Sequence, residues 1–187
     1  MGLLNLFGCS KSKQSAEFSA APKQPELKLV NYRGGVVRFS IPSNWLEEYE
    51  PEGGGTFYEN RSDSGTLRLN VLEFDSPSKS AEEMARTAFP QNGVELLPSG
   101  FPMRHYVKPA KENGEALEIH RWEIAVPVPP RTLRLVCFAH TILAGQQSAP
   151  KIATELKLLD ESIRAAEFSQ ETGVSGAFPN GRNAKAP

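Results

Sequence analysis

The 187 residues predict an α+β domain, a twisted and mainly antiparallel sheet flanked by helices. Three observations carry that prediction. Short runs with period-two apolar alternation, GTLRLNVLEF among them, outnumber the helical stretches. The 15 glycines and 15 prolines gather between those runs and at the chain ends, as tight strand connections require. A 3.6-residue repeat of Ile152, Leu156, Leu159 and Ile163 closes the pattern. With 39% hydrophobic and 23% charged residues, the composition is that of an ordinary globular chain and excludes a wholly disordered one.

The elements follow in order. Residues 10–25, SKSKQSAEFSAAPKQP, have low hydrophobicity and no period, so 1–25 is expected to be a disordered arm. LKLVNY and VVRFSIP read as strands joined at Arg33-Gly34-Gly35, where the glycines supply positive φ. Pro42 stops the second strand, and SNWLEEYE is expected to form one short helical turn capped by Ser43 or Asn44. Gly53-Gly54-Gly55 reads as a flexible break. TFYEN and GTLRLNVLEF follow, linked by RSDSG. Leu67, Leu69 and Val71 mark one buried face of the second run. Leu72 and Phe74 reverse the phase, which predicts a bulge or a second buried face.

Ser80-Ala81-Glu82-Glu83 has the capping-box form and opens a short helix to about Phe89. Two strands are expected around Val94–Leu97 and Met103–Val107, then a KENG turn and the strand ALEIHRWEIAV. VPVPP is expected to leave the ladder, because proline lacks an amide donor, or to offer a polyproline-type edge. RTLRLVCFAHTILA is the candidate central strand, with Leu133, Leu135, Cys137 and Ala139 on one face and Val136, Phe138 and Ile142 on the other. A strand apolar on both sides is expected to be covered on both sides. The last helix starts near Ser148 as N-cap, with Lys151, Glu155, Lys157 and Glu161 mainly on its solvated side. The domain is thus expected at 26–168, large enough to fold without metal or disulfide, with a disordered tail over 169–187.

Charge limits the function classes. The formal net charge is −1, but Lys11, Lys13, Lys23, Arg182 and Lys185 lie in the end segments against only Glu17 and Glu171, so the middle is acidic. No basic stripe with interleaved aromatics appears, so nucleic-acid binding is not expected. No apolar run approaches the roughly 18 residues of a membrane helix, and no transmembrane segment is expected. MGLLNLFGCSKSK lacks a basic n-region and a long enough apolar stretch for a secretory signal. A cytoplasmic location follows, with acylation of Cys9 in a lipid-anchored envelope protein as an alternative. Cys9 and Cys137 do not read as a disulfide framework.

No coherent catalytic set emerges. There is no G-x-S-x-G, no P-loop and no dinucleotide fingerprint. His105, His120 and His140 all fall in strands. A hairpin centred at 112–113 places His105 opposite His120, and one centred at 128–129 places His120 opposite 136–138, with His140 a step or two along. That arrangement leaves a small metal-dependent hydrolase as a second alternative, although no short-spaced ligand pair supports zinc. No metal, cofactor or catalytic residue is assigned. The densest acidic run, Glu47, Glu48, Glu50 and Glu52 beside Trp45 and Tyr49, is the candidate partner-binding lip, with a weak cation site or a plain solvated loop as the alternatives.

VVRFSIPSNW, the glycine-rich stretch, GTLRLNV, a helix, further long strands and a closing amphipathic helix together resemble the PsbP-like fold family. That group includes photosystem extrinsic subunits, Ran-binding nuclear transport factors and bacterial Eag-type adaptor chaperones of type VI secretion. The resemblance spans about 30–168. It implies an α/β/α sandwich, usually without catalysis, that serves as a binding platform. The expected function is therefore a non-enzymatic protein-binding domain in a bacterial cell, an adaptor, chaperone or immunity-type partner. It would present a sheet face or edge to another protein, a second copy of the chain being one option.

Overall fold

The computed structural model describes residues 25–51, 53–61 and 64–171. The expected arm and tail therefore fall almost wholly outside the described residues. Two antiparallel sheets form. One is a three-stranded sheet ordered β1 (Leu27–Tyr32), β2 (Val37–Pro42), β10 (Glu167–Phe168). The other has seven strands: β3 (Leu46–Tyr49), β4 (Gly55–Tyr58), β5 (Thr66–Asp75), β9 (Thr132–Leu143), β8 (Glu115–Val128), β7 (Pro102–Glu112) and β6 (Val94–Leu96). Among the described residues two α-helices join them, α1 (Ala81–Arg86) and α2 (Pro150–Arg164).

The core lies between the sheets. Phe39 of the small sheet meets Phe57 and Phe138 of the large one edge-on, at centroid distances of 5.3 and 5.0 Å. Helix α2 closes the same side with Ile152, Leu159 and Ile163, and Trp122 Nε1 donates to Asp160 Oδ1 at 2.8 Å. This side of the large sheet is its inner face. Strand β10 pairs β2 only at Val37 and Arg38. Beyond that point α2 takes over the strand edge. The Ser40 amide donates to Ser162 Oγ at 2.9 Å, and that hydroxyl donates to the Ser40 carbonyl at 2.6 Å.

Several local expectations are corrected. SNWLEEYE is not helical. Leu46–Tyr49 pairs with β4, Leu46 opposite Tyr58 and Tyr49 opposite Gly55, so tertiary pairing overrides the Glu-rich local preference. The triple glycine closes that hairpin rather than breaking the chain. Gly53 and Gly54 take φ of 101° and 137°, and the Gly54 amide donates to the buried Tyr32 hydroxyl at 2.9 Å. Strand β5 has no bulge, because its register with β9 runs unbroken from Thr66 to Asp75. Leu72 and Phe74 keep the outward phase and remain 48% and 46% exposed.

VPVPP stays in the ladder through Val128. The Pro127 carbonyl accepts from Gln170 Nε2 at 2.9 Å. Carbonyl and nitrogen of one strand residue point the same way, so the missing amide of Pro127 faces away from β9 and costs no ladder bond. Ser80 caps α1 as expected, its hydroxyl accepting the Glu83 amide at 3.2 Å. Helix α2 begins at Pro150 behind Ala149, without a side-chain cap. Glu155 sits inside it at 8% exposure rather than on the solvated side. Past the expected boundary at 168, Arg134 still holds the chain by donating to the carbonyls of Ser169 and Glu171 at 2.6 and 3.1 Å.

Candidate functional site: the outer sheet face

The register fixes which residues share the other, outer face of the large sheet. Across the strands it reads Phe74, Leu133, Pro127; then Leu72, Leu135, Ala125; then Asn70, Cys137, Glu123, Arg104; then Arg68, Ala139, Arg121, Tyr106; then Thr66, Thr141, Ile119, Lys108. Helix α1 and the turn after it cover only one end, packing Ala85 and Phe89 on Ala125 and Leu133. The central strand is therefore sealed on its inner face, while on its outer face only the α1 end is covered. From Leu72 onward no helix of the described residues lies over the face.

The outer face divides into an apolar end and a charged centre. Half-exposed Leu72 and Phe74 form the first. In the centre, Glu123 is nearly buried and accepts from Arg104 Nε at 2.5 Å and from the Tyr106 hydroxyl at 3.0 Å, while an Arg121 amino group lies 3.3 Å away. Cys137, beside them, is buried, and desolvation pushes its thiol up to about 11, so it is an inert small hydrophobe here.

The sequence-predicted candidates do not gather into one site. Trp45 is 3% exposed and stacks against His140, centroids 6.1 Å apart. Glu47 and Glu48 point to opposite faces of β3. Glu47 pairs with Lys28 at 2.9 Å, and Glu48 accepts the Tyr58 hydroxyl on the outer side. Glu50 lies at the β3–β4 hairpin, and Glu52 and Cys9 lie outside the described residues.

All three histidines lie on the inner face, with a register that differs from the expected one. The turn at Asn113-Gly114 puts His105 opposite Trp122, and the loop Pro129–Arg131 puts His120 opposite His140. His105 stacks on Trp122 at 4.6 Å, and its ring centroid is 5.9 Å from that of His120. His140 is fully buried, with Glu155 Oε1 2.9 Å from its Nε2 but outside hydrogen-bond geometry. Burial lowers the pKa of both His105 and His120; Asp160 opposes this at His105, and the neighbouring histidines reinforce it at His120. Burial pushes the Asp160 carboxyl up, but hydrogen bonds from Arg164 and Trp122 outweigh it and leave the group lowered. Among the described residues no group of three or more His, Cys, Asp or Glu is placed to hold a metal ion.

Sequence reasoning missed Arg68, Arg104 and Arg121. The signal was available in GTLRLNVLEF, whose even positions keep one parity from Arg68 through Phe74. Among the described residues no helix is long and apolar enough to cross a membrane.

No family model and no curated protein matches this chain. Solved structures do. A Bacteroides thetaiotaomicron protein is 16% identical with a TM-score of 0.49, covering 76% of this chain, which spans only 48% of that one. LpqN, described as involved in cell envelope biogenesis of Mycobacterium tuberculosis, is 12% identical with a TM-score of 0.48, over 77% of this chain and 85% of its own. A mutant of the protein Mog1 is 13% identical with a TM-score of 0.51, over 80% of this chain and 99% of its own. The last of these shows the fold, an α+β arrangement of the Mog1 and PsbP-like kind.

Proposed function

We propose that this chain is a non-enzymatic protein-binding domain whose working surface is the outer face of the seven-stranded sheet. The observation that supports this most is the pair Leu72 and Phe74, 48% and 46% exposed in an unbroken ladder beyond the reach of α1. Burying a large apolar side chain contributes about 1.5–3 kcal/mol, so a half-exposed one has roughly 1 kcal/mol left to give a partner. Of the acidic run, Glu48 belongs to this surface, at its β3 edge. The reading needs no cofactor, metal or catalytic residue.

Its finer form is an adaptor, chaperone or immunity-type partner in the bacterial cytoplasm, with type VI secretion as one setting. That form rests on the resemblance carried by VVRFSIPSNW and GTLRLNV. The test is site-specific photo-crosslinking from position 72 in the native cell, followed by affinity measurement with the captured protein. Leu72→Glu and Phe74→Glu are expected to weaken binding at least fivefold each with unchanged circular dichroism. Full affinity in both variants overturns the assignment. Crosslinks joining two copies of the chain, with a dimer that the same substitutions dissociate, identify a homodimer instead.

A further inference from the structure

The charge in the centre of the outer face carries the argument one step further, to the chemistry of the partner; this step rests on that face being the binding surface. Glu123 is a single carboxylate serving two guanidiniums, Arg104 and Arg121. The triad therefore keeps one uncompensated positive charge. The Arg121 side chain stays 34% exposed beside the Glu123 carboxylate, so part of it is open to a partner. In the same cross-strand row as Arg121 stands exposed Arg68, two strands away, and Lys108 follows in the next row. Strands are spaced about 4.8 Å apart, so Arg68 and Arg121 lie on the order of 10 Å from each other, within about one Debye length, and their fields add. No salt bridge engages Arg68 or Lys108 among the described residues. Of the other carboxylates of this face, Glu48 stands at the β3 edge in the row of Arg68, where the Tyr58 hydroxyl donates to it, and Glu112 and Glu115 lie at the β7–β8 tip.

We propose that the outer sheet face receives an extended, acidic segment of a partner polypeptide, with one or two carboxylates over Arg68, Arg121 and Lys108 and an apolar side chain over Leu72 and Phe74. An incoming carboxylate would meet the exposed part of the Arg121 guanidinium together with Arg68, a charge-assisted contact that guanidinium favours. Leu72 and Arg68 are four residues apart on one strand, about 13 Å at roughly 3.3 Å per residue. A segment running along the strands thus places its apolar and acidic residues about four positions apart. The rim carboxylates and the apolar end disfavour a nucleic acid, whose regularly spaced phosphates would meet Glu48, Glu112 or Glu115.

The experiment is selection of a displayed random dodecapeptide library on the full chain, followed by anisotropy titration of the enriched peptides. Enrichment of net-negative peptides with a leucine or phenylalanine about four positions from Asp or Glu is expected. Their affinity should fall at least tenfold in Arg68→Glu, in Lys108→Glu and on amidating the peptide carboxylates, and should fall as salt rises. Both substituted positions are exposed, so the variants are expected to fold. Neutral or basic enriched peptides, or indifference to Arg68→Glu, overturn the acidic assignment. If such peptides still lose binding in Leu72→Glu, the face remains the site and only its partner chemistry falls. If nothing is enriched, or no substitution on the face matters, both readings fall. A single-stranded dodecanucleotide that binds more tightly than every peptide also overturns the proposal.

Discussion

Ser162→Ala isolates the contact by which α2 docks on the strand edge that β10 leaves unpaired. The Ser162 hydroxyl accepts from the Ser40 amide at 2.9 Å and donates to the Ser40 carbonyl at 2.6 Å, so one atom satisfies both backbone groups. Each hydrogen bond contributes about 1 kcal/mol net, and each group left buried without a partner costs about 1–3 kcal/mol. Ser40 and Ser162 are only partly buried, so water recovers some of that loss. The expected destabilisation is about 2 kcal/mol. With a urea m-value of roughly 2 kcal/mol/M, the unfolding midpoint falls by about 1 M at unchanged m. Amide exchange gives the local reading: Ser40 should exchange roughly 30-fold faster, since 1.4 kcal/mol is tenfold. Ser162→Thr keeps the hydroxyl and should recover most of both effects. A midpoint shift below about 0.3 M, with the Ser40 amide still protected, would refute the reasoning.

Three further outcomes are expected. Acidification should destabilise the fold below about pH 6.5, because burial lowers His105 and His120 and the unfolded chain then binds more protons than the folded one. Stability is complete above that value and is lost as pH falls toward the lowered pKa values; replacing both histidines by glutamine should flatten melting temperature between pH 7.5 and 5.5. Gly65→Ala drives a Cβ into the buried His140 ring, which Trp45 backs, and should cost about 1–3 kcal/mol in urea unfolding. An undiminished midpoint would show that the imidazole can move aside. Trp122→Phe removes the Nε1 donor of Asp160, a bond to a charged acceptor worth about 2 kcal/mol, and leaves Arg164 as the carboxyl's remaining hydrogen-bond donor. Equal stability of this variant and wild type would discount that bond.

The legible parts of the fold are those whose information is local. Alternation placed Leu67 and Leu69 on the buried face and kept Val136 and Phe138 together on one face of their strand, and the spacing of Ile152, Leu159 and Ile163 fixed the docked side of α2. Register was less legible, because the hairpin turns lie one or two residues from where composition placed them. Pairing through Val128 and Thr132 moved His140 opposite His120. Leu46–Tyr49 was misread because four residues with two glutamates carry no strong signal until β4 supplies a partner. Glu155 was misread because a carboxylate in an amphipathic helix is ordinarily solvated, and only the chain fold brings buried His140 to it.

Leu72 and Phe74 show a different kind of miss, and it bears directly on function. Their parity was correct in the sequence, and the assumption that apolar means buried turned that parity into a predicted bulge or second buried face. Keeping the parity gives two apolar residues facing outward beside Arg68 and Asn70, a pattern that interior packing does not require. The two faces of the sheet can therefore be separated experimentally. Substitutions at inner positions such as Phe138 or Leu69 should move stability first, whereas those at Leu72, Phe74, Arg68 or Lys108 should move binding first. Glu123 is the exception, because it is buried on the outer face and holds Arg104, Arg121 and Tyr106 together. Its removal would leave two guanidiniums without their shared acceptor, so stability and recognition should fail together there and separately elsewhere.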